Sequence, residues 1–151
     1  MRVVLQRVSR AAVLVDGDVV SSIGRGLCLL VGIGHDDGLP DVVAAVDKIS
    51  GLRVFTDDAG KMNWSIGDVG GEILVVSQFT LLGDVRKGRR PSFTAAARPE
   101  HAEPLIATMA SMFADIGIPT RTGVFGAAME VELVNEGPVT LILEVSAGKV
   151  T

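Results

Sequence analysis

The chain of 151 residues is poor in the residue types that mark several classes of protein. It has no Tyr, one Trp, one Cys and only two His. So few aromatic residues argue against a platform on which successive bases of single-stranded nucleic acid stack, and one Cys excludes an internal disulfide framework. Because 18 acidic residues outnumber 14 basic ones, the net charge of −4 also argues against general coating of nucleic acid.

Long apolar runs are absent as well. The longest, residues 27–33, has seven residues, whereas a membrane-spanning helix needs about 20. The amino end, residues 2–8, alternates like a strand and has no apolar core of a secretory signal. Cys28 lies in the apolar run, which is typical of a buried residue in a reducing compartment. We therefore expect a single cytoplasmic domain over residues 1–151.

Short β-branched segments dominate the first part of the chain. They predict four strands, over residues 3–8, 11–15, 19–23 and 27–33. The dipeptide Asp16-Gly17 predicts a hairpin between the second and the third.

Two segments have the apolar spacing of helices. One runs from Pro40 to Gly51, and the other begins at Pro99 and stops before Gly117. Further strands are predicted over residues 72–77, 130–133 and 139–145. This order predicts an α+β fold with a mainly antiparallel sheet or barrel-like β core and two principal helices.

Several common kinds of active site lack support in the sequence. The only histidines, His35 and His101, stand alone and form no metal-ligand spacing with another soft ligand. There is neither a glycine-rich phosphate loop nor a GxSxG nucleophile elbow. We therefore expect no metal and no cofactor.

Two clusters of polar residues remain, and each has two interpretations. In the middle, Ser77-Gln78-Phe79-Thr80-Leu81 leaves a predicted buried strand and is followed by a dense basic tract. The tract is either a solvated loop or a contact for phosphate groups. Its cations are Arg86, Lys87, Arg89 and Arg90.

The second cluster is Asn135-Glu136-Gly137-Pro138-Val139-Thr140, between two predicted strands. Because proline cannot donate to a strand ladder, a hairpin turn explains it, and a functional element is the alternative.

Together the two clusters resemble the signatures of the D-aminoacyl-tRNA deacylases. Ser-Gln-Phe-Thr-Leu at 77–81 and Asn-x-Gly-Pro-Val-Thr at 135–140 carry the resemblance. It extends to Gln6-Arg7-Val8 and to segments at 60–63, 90–93 and 122–129, so it spans nearly the whole chain.

The resemblance implies a homodimeric hydrolase that cleaves the ester between a D-amino acid, or glycine, and the terminal adenosine of tRNA. It implies a cis Gly137-Pro138 bond that inserts into the partner's active site and excludes L side chains there. The catalytic residues implied are Ser77, Gln78, Phe79 and Thr80. The substrate-binding residues implied are Phe125, Met129, Asn135, Gly137 and Pro138.

The residues themselves bear on how such an ester would be cleaved. A threonine nucleophile needs a neighbouring base, and the signature contains no histidine or acid. We therefore favour the 2′-hydroxyl of the tRNA as the group that assists a water molecule. The backbone N–H groups of Phe79 and Thr80 then serve as oxyanion donors, and the side chains of Gln78 and Thr80 orient water or substrate.

Two other functions stay open. A non-catalytic dimer that binds the 3′ end of tRNA would use the same pocket without releasing an amino acid. A sister deacylase of altered chirality is expected to depart from the Ser-Gln-x-x-Leu pattern, which this chain keeps.

Overall fold

Nine strands, two α-helices and one 3-10 helix make up the fold. The computed structural model describes residues 1–151. The strands are β1 (Arg2–Val15), β2 (Asp18–Ile23), β3 (Gly26–Gly32), β4 (Phe55–Thr56), β5 (Met62–Trp64), β6 (Glu72–Ser77), β7 (Thr120–Thr122), β8 (Glu130–Ser146) and β9 (Lys149–Val150). The helices are α1 (Leu39–Gly51) and α2 (Pro99–Asp115), and the 3-10 helix is Phe79–Leu82.

Seven of the strands form one sheet in the order β7-β6-β3-β1-β8-β9, with β2 paired to β1. Strand β1 is antiparallel to β2, β3 and β8, but β3–β6 and β6–β7 are parallel pairs. The prediction of a mainly antiparallel sheet is therefore wrong, because the sheet is mixed. The reason is that α1 and α2 lie in the connections before β6 and β7, and a helical crossover returns the chain in the same direction. The barrel-like core is an open half-barrel.

The two longest strands differ from the sequence-based prediction. Residues 3–8 and 11–15, expected as two strands, belong to the single strand β1 of 14 residues. The hairpin interpretation of Gly137-Pro138 is also wrong, since this dipeptide lies within the single strand β8, which has 17 residues. The expected turn at Asp16-Gly17 is present, with positive φ at both residues.

Strand β8 accommodates Pro138 in an extended bulge. Its register against β1 changes from Gln6 opposite Thr140 to Val8 opposite Asn135. Four residues of β8, 136–139, therefore lie opposite the single residue Arg7. Residues 136–139 have no partner in the β1–β8 register, so proline interrupts no regular pairing there.

Both predicted helices are confirmed, and they pack on one face of the sheet. Helix α2 contributes Ile106, Met109 and Phe113 to a core shared with α1 and with β1, β3 and β6. A smaller core on the opposite side includes Cys28 and Val76. Neither helix has the length and apolar character needed to cross a membrane.

Candidate active site

A cavity of about 510 Å³ opens where β6 ends. Its wall combines the end of β6, the start of the 3-10 helix, the beginning of α2 and the segment that leads into β8. Most of its sixteen lining residues are hydrophobic. Five sequence-predicted site residues line it: Ser77, Gln78, Phe79, Phe125 and Met129.

The chain changes direction at Gln78, between β6 and the 3-10 helix. The backbone N–H of Gln78 donates to the carbonyl of Val31 at 2.8 Å, which anchors this point to β3. Residues of the first turn of a 3-10 helix lack intrahelical acceptors for their N–H groups. The N–H groups of Phe79 and Thr80 therefore have no intrahelical acceptor, and of these two residues Phe79 lines the cavity.

The side chains of this turn are ordered by two contacts. The amide nitrogen of Gln78 donates a hydrogen bond to the hydroxyl of Thr80, which itself does not line the cavity. The ring of Phe79 packs edge-to-face on Phe93, with centroids 5.2 Å apart and an interplanar angle of 77°. Phe93 also lines the cavity, so the pair forms part of its wall.

Thr80 has no hydrogen bond to a carboxylate or an imidazole. His35 bonds the carbonyl of Thr94 and His101 bonds the carbonyl of Asp37, and neither histidine lines the cavity. No group of three or more His, Cys, Asp or Glu side chains is arranged to hold a metal ion. The turn therefore offers hydrogen-bond donors and hydroxyls but no general base.

The bulge of β8 carries the remaining predicted residues. The Gly137–Pro138 bond is cis, and both residues are exposed. Asn135 braces the bulge from within, because its side chain accepts from the N–H of Val139 at 3.1 Å and donates to the hydroxyl of Thr140 at 2.9 Å. None of these residues lines the cavity.

The side chain of Arg7, on β1, contacts the bulge of β8. The residue types in the sequence did not identify Arg7 as a functional residue. Only 6% of Arg7 is exposed. Its guanidinium donates to the carbonyl of Glu136 at 3.2 Å and to that of Val54 at 2.5 Å. The available signal was the position of Arg7 on the same alternating face of the predicted strand as Val3 and Leu5, since a charged residue on a buried face must find internal partners.

The four predicted cations of the basic tract fall into two groups. Arg86 forms two hydrogen bonds with the carboxylate of Asp84, at 2.9 and 2.7 Å, which hold the pKa of that carboxyl below its ordinary value. Lys87, Arg89 and Arg90 are exposed and form no ion pair. An antiparallel bridge between Asp84 and Ser92 closes the loop that carries all four.

The profile of the D-Tyr-tRNA(Tyr) deacylase family matches residues 4–144. The chain belongs to this family. The D-aminoacyl-tRNA deacylases of Thermomicrobium roseum and Geobacillus sp. are each 58% identical over 144 residues, which cover 95% of this chain and 94% and 95% of those proteins. This deacylase is accordingly a hydrolase that acts on the ester bond of aminoacyl-tRNA.

Solved structures have the same fold. The "c-Myc DNA Unwinding Element Binding Protein" superposes with a TM-score of 0.91 at 43% identity, covering 97% of this chain and all of that one. A "probable eukaryotic D-amino acid tRNA deacylase" reaches a TM-score of 0.71 at 22% identity, covering 93% of this chain and 97% of that one, a likeness of fold alone.

Proposed function

We propose that this deacylase removes D-amino acids and glycine from tRNA as a homodimer, in which Gly137-Pro138 of each copy completes the cavity of the other. The observation that carries the proposal is the bulge opposite Arg7. It is exposed and internally braced, yet it contributes nothing to the cavity of its own chain. A braced main-chain projection without a role in its own protomer fits insertion into a second one.

The surface around the bulge supports a second copy as the occupant. Val134 precedes the bulge, Leu141 and Ile142 follow it, and all three are exposed, Ile142 to 67%. Exposed apolar side chains on one long strand are typical of a surface that another chain covers. A second copy related by a twofold axis near β8 would cover part of this apolar surface and bring the bulge of each copy to the other's cavity.

Catalysis in this proposal depends on positioning. The N–H groups of Phe79 and Thr80 stabilise the developing oxyanion, and one such donor contributes about 2.7–4 kcal/mol. The hydroxyl of Thr80, fixed by Gln78, orients the attacking water. The 2′-hydroxyl of the terminal adenosine assists the proton transfer, because no side-chain base stands beside Thr80.

The main chain of the partner copy distinguishes D-amino acids from L-amino acids. The carbonyl groups of the partner's Gly137 and Pro138 face the α-amino group and leave no room for a side chain of L configuration. Such a wall rejects L residues whatever their side chain, while a D side chain extends into the apolar cavity. Glycine has no side chain to reject and is therefore hydrolysed.

The body of the tRNA binds through the basic tract. Lys87, Arg89 and Arg90 are free of ion pairs, so they contact backbone phosphates near the acceptor end. Because its substrate is the charged tRNA used in translation, we propose that the enzyme acts in the cytoplasm.

Hydrolysis of one tRNA charged with D-alanine, L-alanine or glycine tests this function. We expect rapid release of D-alanine and glycine and negligible release of L-alanine, from a protein that sediments as a dimer. Binding of charged tRNA without release of any amino acid would identify the non-catalytic alternative. Full activity in a monomer would refute the shared site.

A further inference from the structure

Arg98 is the only charged residue among those that line the cavity. Its guanidinium forms neither a hydrogen bond nor an ion pair within the chain. The other lining residues are apolar or carry neutral polar groups. A cation that borders an apolar cavity without a partner of its own is available for a ligand of opposite charge.

The exposed side chain of Arg98 does not stabilise the helix that follows it. Arg98 is the N-cap of α2 and makes no side-chain cap. Short polar or acidic side chains stabilise that position, whereas a positive charge is unfavourable beside the positive end of the helix dipole. Helix stability therefore gives no reason for arginine here.

The backbone around Arg98 is fixed on both sides. The N–H of Ala97 donates to the carbonyl of Ile33 at 2.9 Å, and Pro99 begins α2. The carbonyl of Arg98 accepts from the N–H groups of His101 and Ala102, each at 3.0 Å. The side chain therefore extends from a rigid base at the cavity wall, and only the side chain itself has to be ordered when a ligand binds.

We propose that Arg98 is a substrate-positioning residue that binds an anionic group of the charged tRNA at the edge of the cavity. The inference rests on the proposed function. The α-ammonium group of the amino acid is repelled by a guanidinium, so it must lie away from Arg98. The anions of this substrate are the phosphate groups next to the terminal adenosine and the carboxylate of an acidic side chain, and both suit a guanidinium.

Kinetics with D-aspartyl-, D-asparaginyl- and D-alanyl-tRNA distinguish the two anions. If Arg98 binds phosphate, Arg98→Met lowers kcat/KM at least about tenfold for all three, mainly through KM. If it binds the side chain, only D-aspartyl-tRNA is affected, because asparagine has the same shape without the charge. In either case Arg98→Lys restores part of the loss.

Arg121→Met is the matched control, because Arg121 is exposed, lies outside the cavity and forms no ion pair. An Arg98→Met enzyme that equals the wild type on all three substrates would overturn the inference. So would an equal loss in Arg121→Met, which would indicate general electrostatics. Failure of the wild type to hydrolyse any of the three would instead refute the proposed function.

Discussion

Gly137→Ala tests whether the bulge of β8 is a functional element. Gly137 has a φ of +121°, a conformation that residues with a β-carbon rarely adopt. A β-carbon at this position would lie 2.9 Å from Cγ2 of Val139 and 3.0 Å from Nη2 of Arg7. The substitution therefore adds backbone strain and crowds the side chain that supports the bulge.

The magnitude follows from these two effects. A residue other than glycine in such a conformation costs about 1–3 kcal/mol. Crowding in a packed site costs about 1–3 kcal/mol more. We expect a loss of roughly 2–6 kcal/mol in the free energy of unfolding, unless the bulge moves to relieve the strain. Either response displaces Gly137 and Pro138, and a displacement near 1 Å can lower a rate about 10²-fold.

Gly17→Ala is the matched control for backbone strain. Gly17 also has a positive φ, of +86°, but a β-carbon there would have no neighbour within 4 Å. It lies in the hairpin turn before β2 and does not line the cavity. We expect Gly17→Ala to lose about 1–3 kcal/mol of stability and to keep wild-type kcat/KM.

Urea unfolding gives the stability of both variants, and release of D-alanine from tRNA gives their activity. The measurements should be made at a temperature at which both variants are folded. We expect an activity loss in Gly137→Ala alone, of about 10²-fold. Wild-type activity in a Gly137→Ala enzyme that is destabilised only as much as Gly17→Ala would refute it.

Four further predictions concern other parts of the molecule. Thr80→Ala should keep a measurable part of kcat, whereas charged tRNA that ends in 2′-deoxyadenosine should react with the wild type at least about 10²-fold more slowly. Total loss of activity in the variant, together with normal cleavage of the deoxy substrate, would instead identify the threonine as the nucleophile. Replacing Lys87 and Arg89 by Ala should weaken tRNA binding and reduce the slope of the logarithm of the binding constant against the logarithm of salt concentration, by the equivalent of about one to two phosphate contacts. An unchanged slope would show that the tract is a solvated loop. Asp37→Asn should lower the free energy of unfolding by about 3–5 kcal/mol in urea titrations, because it leaves the buried terminal ammonium group, 2.6 Å from Asp37, without its counter-charge. Burial raises the pKa of Cys28 to about 11, so iodoacetamide at pH 8 should modify it only after unfolding, and modification of the native enzyme would contradict its burial.

Local sequence was sufficient for elements whose formation depends on their own residues. The helices at 39–51 and 99–115 have apolar positions at helical spacing with proline at the start, so both could be predicted with nearly correct bounds. The strand at 72–77 is a short, largely apolar run preceded by two glycines, and it could also be predicted.

Strand direction and continuity depend on distant partners and could not be predicted in this way. The sheet is mixed because a helix lies in the connection between each pair of parallel strands. The residues of one short strand do not show in which direction its neighbour runs. The proline at 138 indicated a break, but pairing of β1 with β8 on both sides of it holds the strand together and turns the break into a bulge. Hydrogen-bonded strand pairing on both sides of a residue can outweigh that residue's own conformational preference.

For the site, the sequence by itself determined the family, through two signatures of residue types at set spacing, and the absence of a base within the first of them. The tertiary structure decided which residues meet. It buried Arg7 beneath the bulge, placed Arg98 at the cavity wall, and paired Arg86 with Asp84 while leaving its neighbours free. It also kept Gly137 and Pro138 away from their own cavity. These relations join residues far apart in the chain or depend on loop conformation, and only the packed sheet and its loops bring the groups within reach of one another.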